Sequence, residues 1–229
     1  MERVLSADSP LFEACLDILT DSIPASERLP LARFKNLLAG GRYRVYAFRS
    51  GSVVAGSAVL YFSQAQPIAL LDYMAVRREL RGQGIGSALF RDVAKVAMYE
   101  TPAPNWLILE VDDDREGTQQ ERQLNHRRIE FYRRLGARLL TNVPYLFPSS
   151  RTEPVPMRLM VLPLRPESIL SPRDLRLAIQ DIFLGVHGRS ADDPVLRWFA
   201  EREPSALFWN RRTKDVRRVL TCGRSDTAW

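Results

Sequence analysis

The sequence predicts an α/β protein: a mixed, mostly antiparallel central sheet containing one parallel strand pair, flanked by helices, with a helical extension at its C-terminal end. Three observations predict it. Three strand-like runs follow one another between residues 43 and 76 with only short breaks between them, as in an antiparallel meander. The last run leads through Arg81-Gly82-Gln83-Gly84-Ile85-Gly86 into a helical pattern and then into a further apolar run at 106–111, an order that calls for a parallel pair joined by a right-handed crossover. Beyond Arg165-Pro166 only helical periodicity remains.

Taken in order, residues 2–7 read as a first strand. Ser9-Pro10 then has the form of a helix start, with Ser9 as N-cap, Pro10 at the first helical position, and Leu11, Cys15, Leu16 and Leu19 as the apolar stripe. A second helix is expected over 26–38, its inward side made by Leu29, Leu31, Phe34 and Leu38 and its end marked by Gly40-Gly41. Strands are expected at 43–49, 53–62 and 68–76, and a helix follows the glycines, with Ile85, Leu89, Val93 and Val96 at helical spacing. Thr101-Pro102-Ala103-Pro104 breaks the chain before the interior strand at 106–111. An acidic loop, Asp112-Asp113-Asp114, precedes a helix over 119–135 that stops at Gly136, and a last strand with prolines at its edges is expected over 153–164. Two helices, 172–184 and 191–203, complete the extension, and their one-sided apolar character requires packing on the main domain or on a second subunit, leaving a homodimer open.

Composition removes several classes. The 229 residues, 45% hydrophobic, suffice for a sizeable core, and no stretch is long and apolar enough for a membrane span or a signal peptide, so a cytoplasmic protein is expected. Two cysteines, Cys15 and Cys222, have neither disulfide-scaffold numbers nor metal-ligand spacing. The net charge of +6 is spread over several helices rather than interleaved with aromatics, which argues against nucleic acid except at the basic tail, 211–229. The same charge suits a ligand that carries several phosphates.

The glycine loop is where such a ligand would sit. Three glycines in five positions let the chain turn sharply and let a bulky group reach the amides with no Cβ in the way. The first N–H groups of the following helix lack intrahelical partners and carry the positive end of its dipole, a ready phosphate site. Two other phosphate loops fit poorly: no lysine follows Gly86 as a P-loop requires, and Ser87 stands where the dinucleotide fingerprint has its third glycine.

Residues 76–89, Val-Arg-Arg-Glu-Leu-Arg-Gly-Gln-Gly-Ile-Gly-Ser-Ala-Leu, resemble the central motif of the GNAT superfamily of acyl-CoA-dependent N-acyltransferases, Arg/Gln-x-x-Gly-x-Gly/Ala, matched at Arg81, Gly84 and Gly86. A second match begins at Asn125 and agrees with the family's Asn-x-x-Ala-x-x-Leu-Tyr-x-x-Leu-Gly-Phe at Asn125, Phe131, Tyr132, Leu135 and Gly136. It departs at Arg128, where a small apolar residue is usual, and at Ala137, where an aromatic is usual. The resemblance covers residues 1–165, taken as the acyltransferase domain, and leaves 166–229 as the extension.

What the resemblance implies is acetyl-CoA as donor and a primary amine, of a small molecule rather than a protein, as acceptor. The two parallel strands would splay and admit the thioester. The amides of Gly82, Gln83, Gly84, Ile85 and Gly86 would hold the pyrophosphate, with Arg81 and Ser87 close by, and Asn125 would bond cofactor amides or water. A backbone N–H among Met74, Ala75 and Val76 would meet the oxyanion. Tyr132 occupies the family's general-acid position, and Glu110 is the first choice of base, Asp112 the second. The acidic loop reads either as a dock for the cation of the amine or as a solvated turn capping the next helix. His126 and His187 have no evident partner, His187 falling in an expected loop, and no metal is implied. Two other readings stay open: a catalytically inactive acyl-CoA-binding or interaction module, and a nucleic-acid contact by the tail.

Overall fold

The computed structural model describes residues 1–101, 103–141, 143–148 and 154–201. Eight strands form one sheet: β1 (Glu2–Val4), β2 (Tyr43–Ser50), β3 (Val53–Phe62), β4 (Ile68–Val76), β5 (Trp106–Asp112), β6 (Arg138–Leu139), β7 (Tyr145–Phe147) and β8 (Val155–Pro163). Their order is β1-β2-β3-β4-β5-β8-β6, with β7 also paired to β8. Among the described residues β4 and β5 are parallel and every other pairing is antiparallel, which is the mixed sheet the sequence predicts.

Helices cover both faces: α1 (Pro10–Ser22), α2 (Leu31–Ala39), α3 (Ile85–Tyr99), α4 (Gln119–Arg134), α5 (Pro172–Gly185) and α6 (Pro194–Glu201). The Ser9 hydroxyl caps α1 by accepting from the Phe12 N–H at 3.1 Å. Thr118 and Glu121 close a capping box at the start of α4, and Gly136, at φ 96°, lets the chain turn out of its end. The expected helix over 26–38 is shorter than its pattern. Pro30 has no N–H and pushes Leu29 out of helical conformation, so the segment divides into a single 3-10 turn, Ala25–Glu27, and α2. The Leu29 N–H is held instead by the Tyr73 hydroxyl at 2.9 Å, which anchors the loop before α2 to β4.

Two apolar layers sandwich the sheet. On one side α1, α2, α5 and α6 pack on Val45, Val59, Leu70, Ile108 and Val161; on the other α3 and α4 pack on Leu60, Leu71, Leu107, Leu109 and Met160. The extension is therefore part of the main core, with Leu175, Ile179, Ile182, Phe183 and Phe199 in the same cluster as Phe12 and Phe34. Polar ties fix it in register: Tyr61 donates to Asp181 at 2.9 Å, and Arg33 of α2 donates to the carbonyls of Val186 and Gly185 at 3.0 and 3.3 Å. The basic tail, 211–229, and Cys222 lie outside the described residues.

β4 contains the irregularity that matters most. Val59 pairs with Tyr73 and Leu60 with Leu71, so Asp72 is an extra residue, a β-bulge. Before it, Ile68 and Leu70 face the α1 layer and Leu71 the α3 layer; after it Tyr73 and Ala75 face the α1 layer and Met74 and Val76 the α3 layer. One extra residue exchanges the faces of the strand.

Gly185 sits where α5 closes on β3, and a Cβ there would lie 2.3 Å from the Tyr61 hydroxyl oxygen. Gly185→Ala is expected to lower stability by about 1–3 kcal/mol through overpacking, read from the urea midpoint; an unchanged midpoint would mean that α5 does not close on Tyr61.

Candidate active site

The parallel ladder between β4 and β5 runs from Ile68 opposite Trp106 to Leu71 opposite Leu109 and then stops. Beyond that point β4 continues to Val76 paired with β3, and β5 continues to Asp112 paired with β8. The strands splay, and the bulge at Asp72 lies at the fork. A cavity of about 410 Å³ fills the gap, with Met74, Ala75 and Val76 along one side, Glu110, Val111 and Asp112 along the other, and Tyr132 and Arg128 of α4 beside them. Its remaining wall is the α1–α2 connection, Ser22 to Glu27, together with Phe147, Val155 and Met157. The candidate oxyanion strand, Met74 to Val76, thus lines the gap, as does Tyr132.

The glycine loop sits beyond the end of β4. Gly82 and Gly84 each have φ 79°, a left-handed conformation that side-chain-bearing residues adopt at a cost, and Gly84 is the N-cap of α3. Gly86 is helical, and a Cβ there would make ordinary contacts with Phe131 and Val76, so its absence of side chain is not conformational. Ile85, Gly86 and Ser87 form the first turn of α3, and the Ser87 and Ala88 amides bond back to the Gly84 carbonyl at 3.0 and 3.1 Å. Gln83 turns back to the Glu79 carbonyl at 3.4 Å. Arg81 is directed to the cavity side, bonding the Val76 carbonyl at 3.1 Å and the Ser22 hydroxyl at 2.7 Å.

α4 brings Tyr132 against Phe90 and Phe131, with ring centroids 5.1 Å apart in both cases. Burial pushes its phenol above the ordinary tyrosine range, and Arg128, one turn earlier, pulls in the opposite direction. Arg128, the departure from the family pattern, is an ion-pair partner of Asp112 at the cavity wall, and Ala137 is buried in the α3-side core. The side-chain amide of Asn125 donates to the Asp113 carbonyl at 3.3 Å and so ties α4 to the acidic loop.

That loop does not cap α4, and each of its three aspartates has a basic partner. Asp112 pairs with Arg128, Asp113 with Arg115 at 2.5 Å, and Asp114 with Arg158 at 2.8 Å and with His126 at 3.0 Å. The bonds from Arg115 hold the Asp113 carboxyl below the ordinary range, and those from His126 and Arg158 do so for Asp114 against the effect of burial. The cap of α4 is Thr118 with Glu121.

Of the acids that line the cavity, Asp72 and Glu110 stand at the fork, the first residues of each strand past the ladder. Asp72 accepts from Tyr43 of β2, and Glu110 Oε1 accepts from Tyr145 of β7 and lies 3.1 Å from His187 Nε2, just past α5. Burial pushes Asp72 up to about 7; the Tyr43 bond and His187 oppose the rise and Glu110 adds to it. Burial lowers the His187 imidazole, but the Glu110 charge and hydrogen bond outweigh it and leave His187 above its ordinary value. His187 therefore has a partner, contrary to the expectation from sequence. Asp72 had a signal, a lone carboxylate inside the strand Ile-Ala-Leu-Leu-Asp-Tyr-Met-Ala-Val. His187 had none, being 77 residues from Glu110.

Among the described residues no group of three or more His, Cys, Asp or Glu could hold a metal, and no helix is long and apolar enough to cross a membrane. Residues 41–136 match the family model described as an acetyltransferase (GNAT) domain. None of the curated proteins matches the chain. Among solved structures, a protein from Bacteroides thetaiotaomicron described as an acetyltransferase of the GNAT family superposes with a TM-score of 0.64 at 19% identity, over 78% of this chain and 93% of that one. A GNAT-like decarboxylase in complex with isobutyryl-CoA gives 0.50 at 14%, over 67% and 94%. A GNAT family acetyltransferase from Elizabethkingia anophelis with acetyl-CoA bound gives 0.45 at 18%, over 69% and 94%. At these identities the likeness is one of fold. The family match falls on the strands, glycine loop and helices that build the gap, so residues 41–136 are similar to a GNAT acetyltransferase domain and the chain shares the GNAT fold.

Proposed function

We propose that the protein is an acetyl-CoA-dependent N-acetyltransferase whose acceptor is a primary amine of a small molecule. The observation that carries this reading is the fork itself: a gap between two splayed strands, with an anion-binding helix start beyond the end of one of them, a phenol at its side and two carboxylates at its apex. The pyrophosphate of the cofactor would rest on the amides at the start of α3, and its pantetheine arm would run along the free edge of β4 towards the apex. The walled acceptor side, made by Ile23, Pro24, Phe147 and Met157, favours a small amine, and the carboxylates favour a cation.

The chemistry follows from these positions. Glu110 takes a proton from the ammonium, and the neutral nitrogen attacks the thioester carbon. The carbonyl electron pair moves onto oxygen, which a backbone N–H among Met74, Ala75 and Val76 stabilises. Collapse breaks the C–S bond, and sulfur leaves with the electron pair and receives a proton from Tyr132. The proton released from the new amide nitrogen restores the phenol, directly or through water. Burial suits Tyr132 to this part, because it keeps the phenol protonated until a thiolate develops.

Calorimetric titration with acetyl-CoA is expected to show selective binding over an adenine dinucleotide, and no binding would reduce the glycine loop to a structural turn. Gly84→Val should abolish that binding, since it places a branched side chain at φ 79° in the loop that must approach the phosphates; retained affinity would sink the phosphate-loop reading. Tyr132→Phe should lower turnover about 10²-fold or more while leaving acetyl-CoA affinity within about twofold. Equal turnover in the two proteins would remove Tyr132 from the mechanism. Unimpaired binding with no turnover on a broad amine panel would identify a binding module instead.

A further inference from the structure

We propose that His187, supplied by the C-terminal extension, is a positioning residue for Glu110: it donates its Nε2–H to Oε1, sets a positive charge beside the carboxylate at the apex of the gap, and leaves Oε2 to take the proton of the amine. The inference rests on the reading of Glu110 as the base. Its content is that proton removal depends on a side chain some fifty residues beyond the stretch that matches the family, which ends at 136.

The geometry is that of a built contact. The side chains of His187 and Glu110 are 5% and 7% exposed, and two groups buried to this degree 3.1 Å apart are not a surface coincidence. The imidazole is gripped edge-on by Phe147, at 4.8 Å and 78° between ring planes, and by Phe183, at 5.6 Å and 86°. The backbone just before it is fixed by the Arg33 guanidinium on the Gly185 and Val186 carbonyls. The ring therefore has little freedom to leave its acceptor.

Charge balance gives the contact its purpose. The groups facing this pair are Tyr43 from β2, Asp72 and Tyr73 from β4, Tyr145 from β7 and Arg33 from α2. Without His187 two carboxylates would share a buried site with phenols as their hydrogen-bond donors, and like charges so placed force one of them to keep its proton. An imidazolium on Glu110 offsets one of those charges, and it also opposes the rise that burial gives Asp72. The plainer alternative is that His187 merely fills space between two aromatic rings, which would leave the ionisation of Glu110 unchanged.

The chain has two histidines, and the other, His126, is exposed on α4, so the two ring titrations are separable by NMR in the intact protein. One imidazole should titrate above the reference value of about 6.5 and fall by at least one pH unit in Glu110→Gln. In turnover with acetyl-CoA and the best acceptor of an amine panel, His187→Gln should move the acid limb of kcat/KM up by about one unit, a tenfold loss on that limb, and approach the parent rate at alkaline pH with unchanged acetyl-CoA affinity. His187→Phe, which keeps the aromatic volume, should show the same shift. A loss of equal size at every pH would assign His187 to packing and overturn the proposal, as would a parent-like profile or an imidazole titration indifferent to Glu110→Gln. Glu110→Gln turning over at the parent rate would remove the base reading and this inference together; an inactive Glu110→Gln beside an unshifted His187→Gln would remove the inference alone.

Discussion

The rest of the structure depends on where the β4–β5 ladder stops. Four residues of each strand pair in parallel, and after Leu71 and Leu109 the backbones part, each keeping its other neighbour. A sheet left open in its middle leaves N–H and C=O groups along the two parted edges that must find partners outside the ladder. The bulge at Asp72 belongs to the same event. It supplies the extra length and twist with which β4 leaves β5, and it turns Met74 and Val76 to the α3 layer.

Much of this was legible in the sequence, for local reasons. Strands of near-continuous apolar residues, a proline at the start of α1, a glycine at the end of α4 and two left-handed glycines in the phosphate loop are each dictated by short-range sterics. What could not be read depends on contacts between distant segments. Pro30 outweighed an apolar pattern that spanned it. The acidic loop met basic partners on α4 and β8 that local composition does not reveal. The Glu110–Tyr145–His187 cluster is assembled from three segments, one of them past the end of the sheet.

The site also separates two kinds of acid. Asp112, Asp113 and Asp114 are conspicuous in sequence, yet each is paired: Asp112 with Arg128 and Asp114 with His126 and Arg158, which tie the loop to α4 and β8, and Asp113 with Arg115 within the loop. Asp72 and Glu110 line the cavity at the fork inside otherwise apolar stretches of β4 and β5, and burial raises Asp72. A buried carboxylate is expensive unless it is bonded, and both have donors: Tyr43 for Asp72, Tyr145 and His187 for Glu110. Arg128 fits the same logic: it replaces a small residue of the family pattern and brings with it an acid partner.

The strand order sets a boundary on what can be cut away. β5 lies between β4 and β8, and β8 spans residues 155–163, after the matched stretch has ended. A polypeptide trimmed to residues 41–136 would present the whole outer edge of β5, seven residues of largely apolar strand, with no partner to cover it. It would also lose α1, α5 and α6, which roof one side of the sheet. The stretch that matches the family and the unit that covers this sheet are thus different objects, and the second takes in nearly all of the described chain.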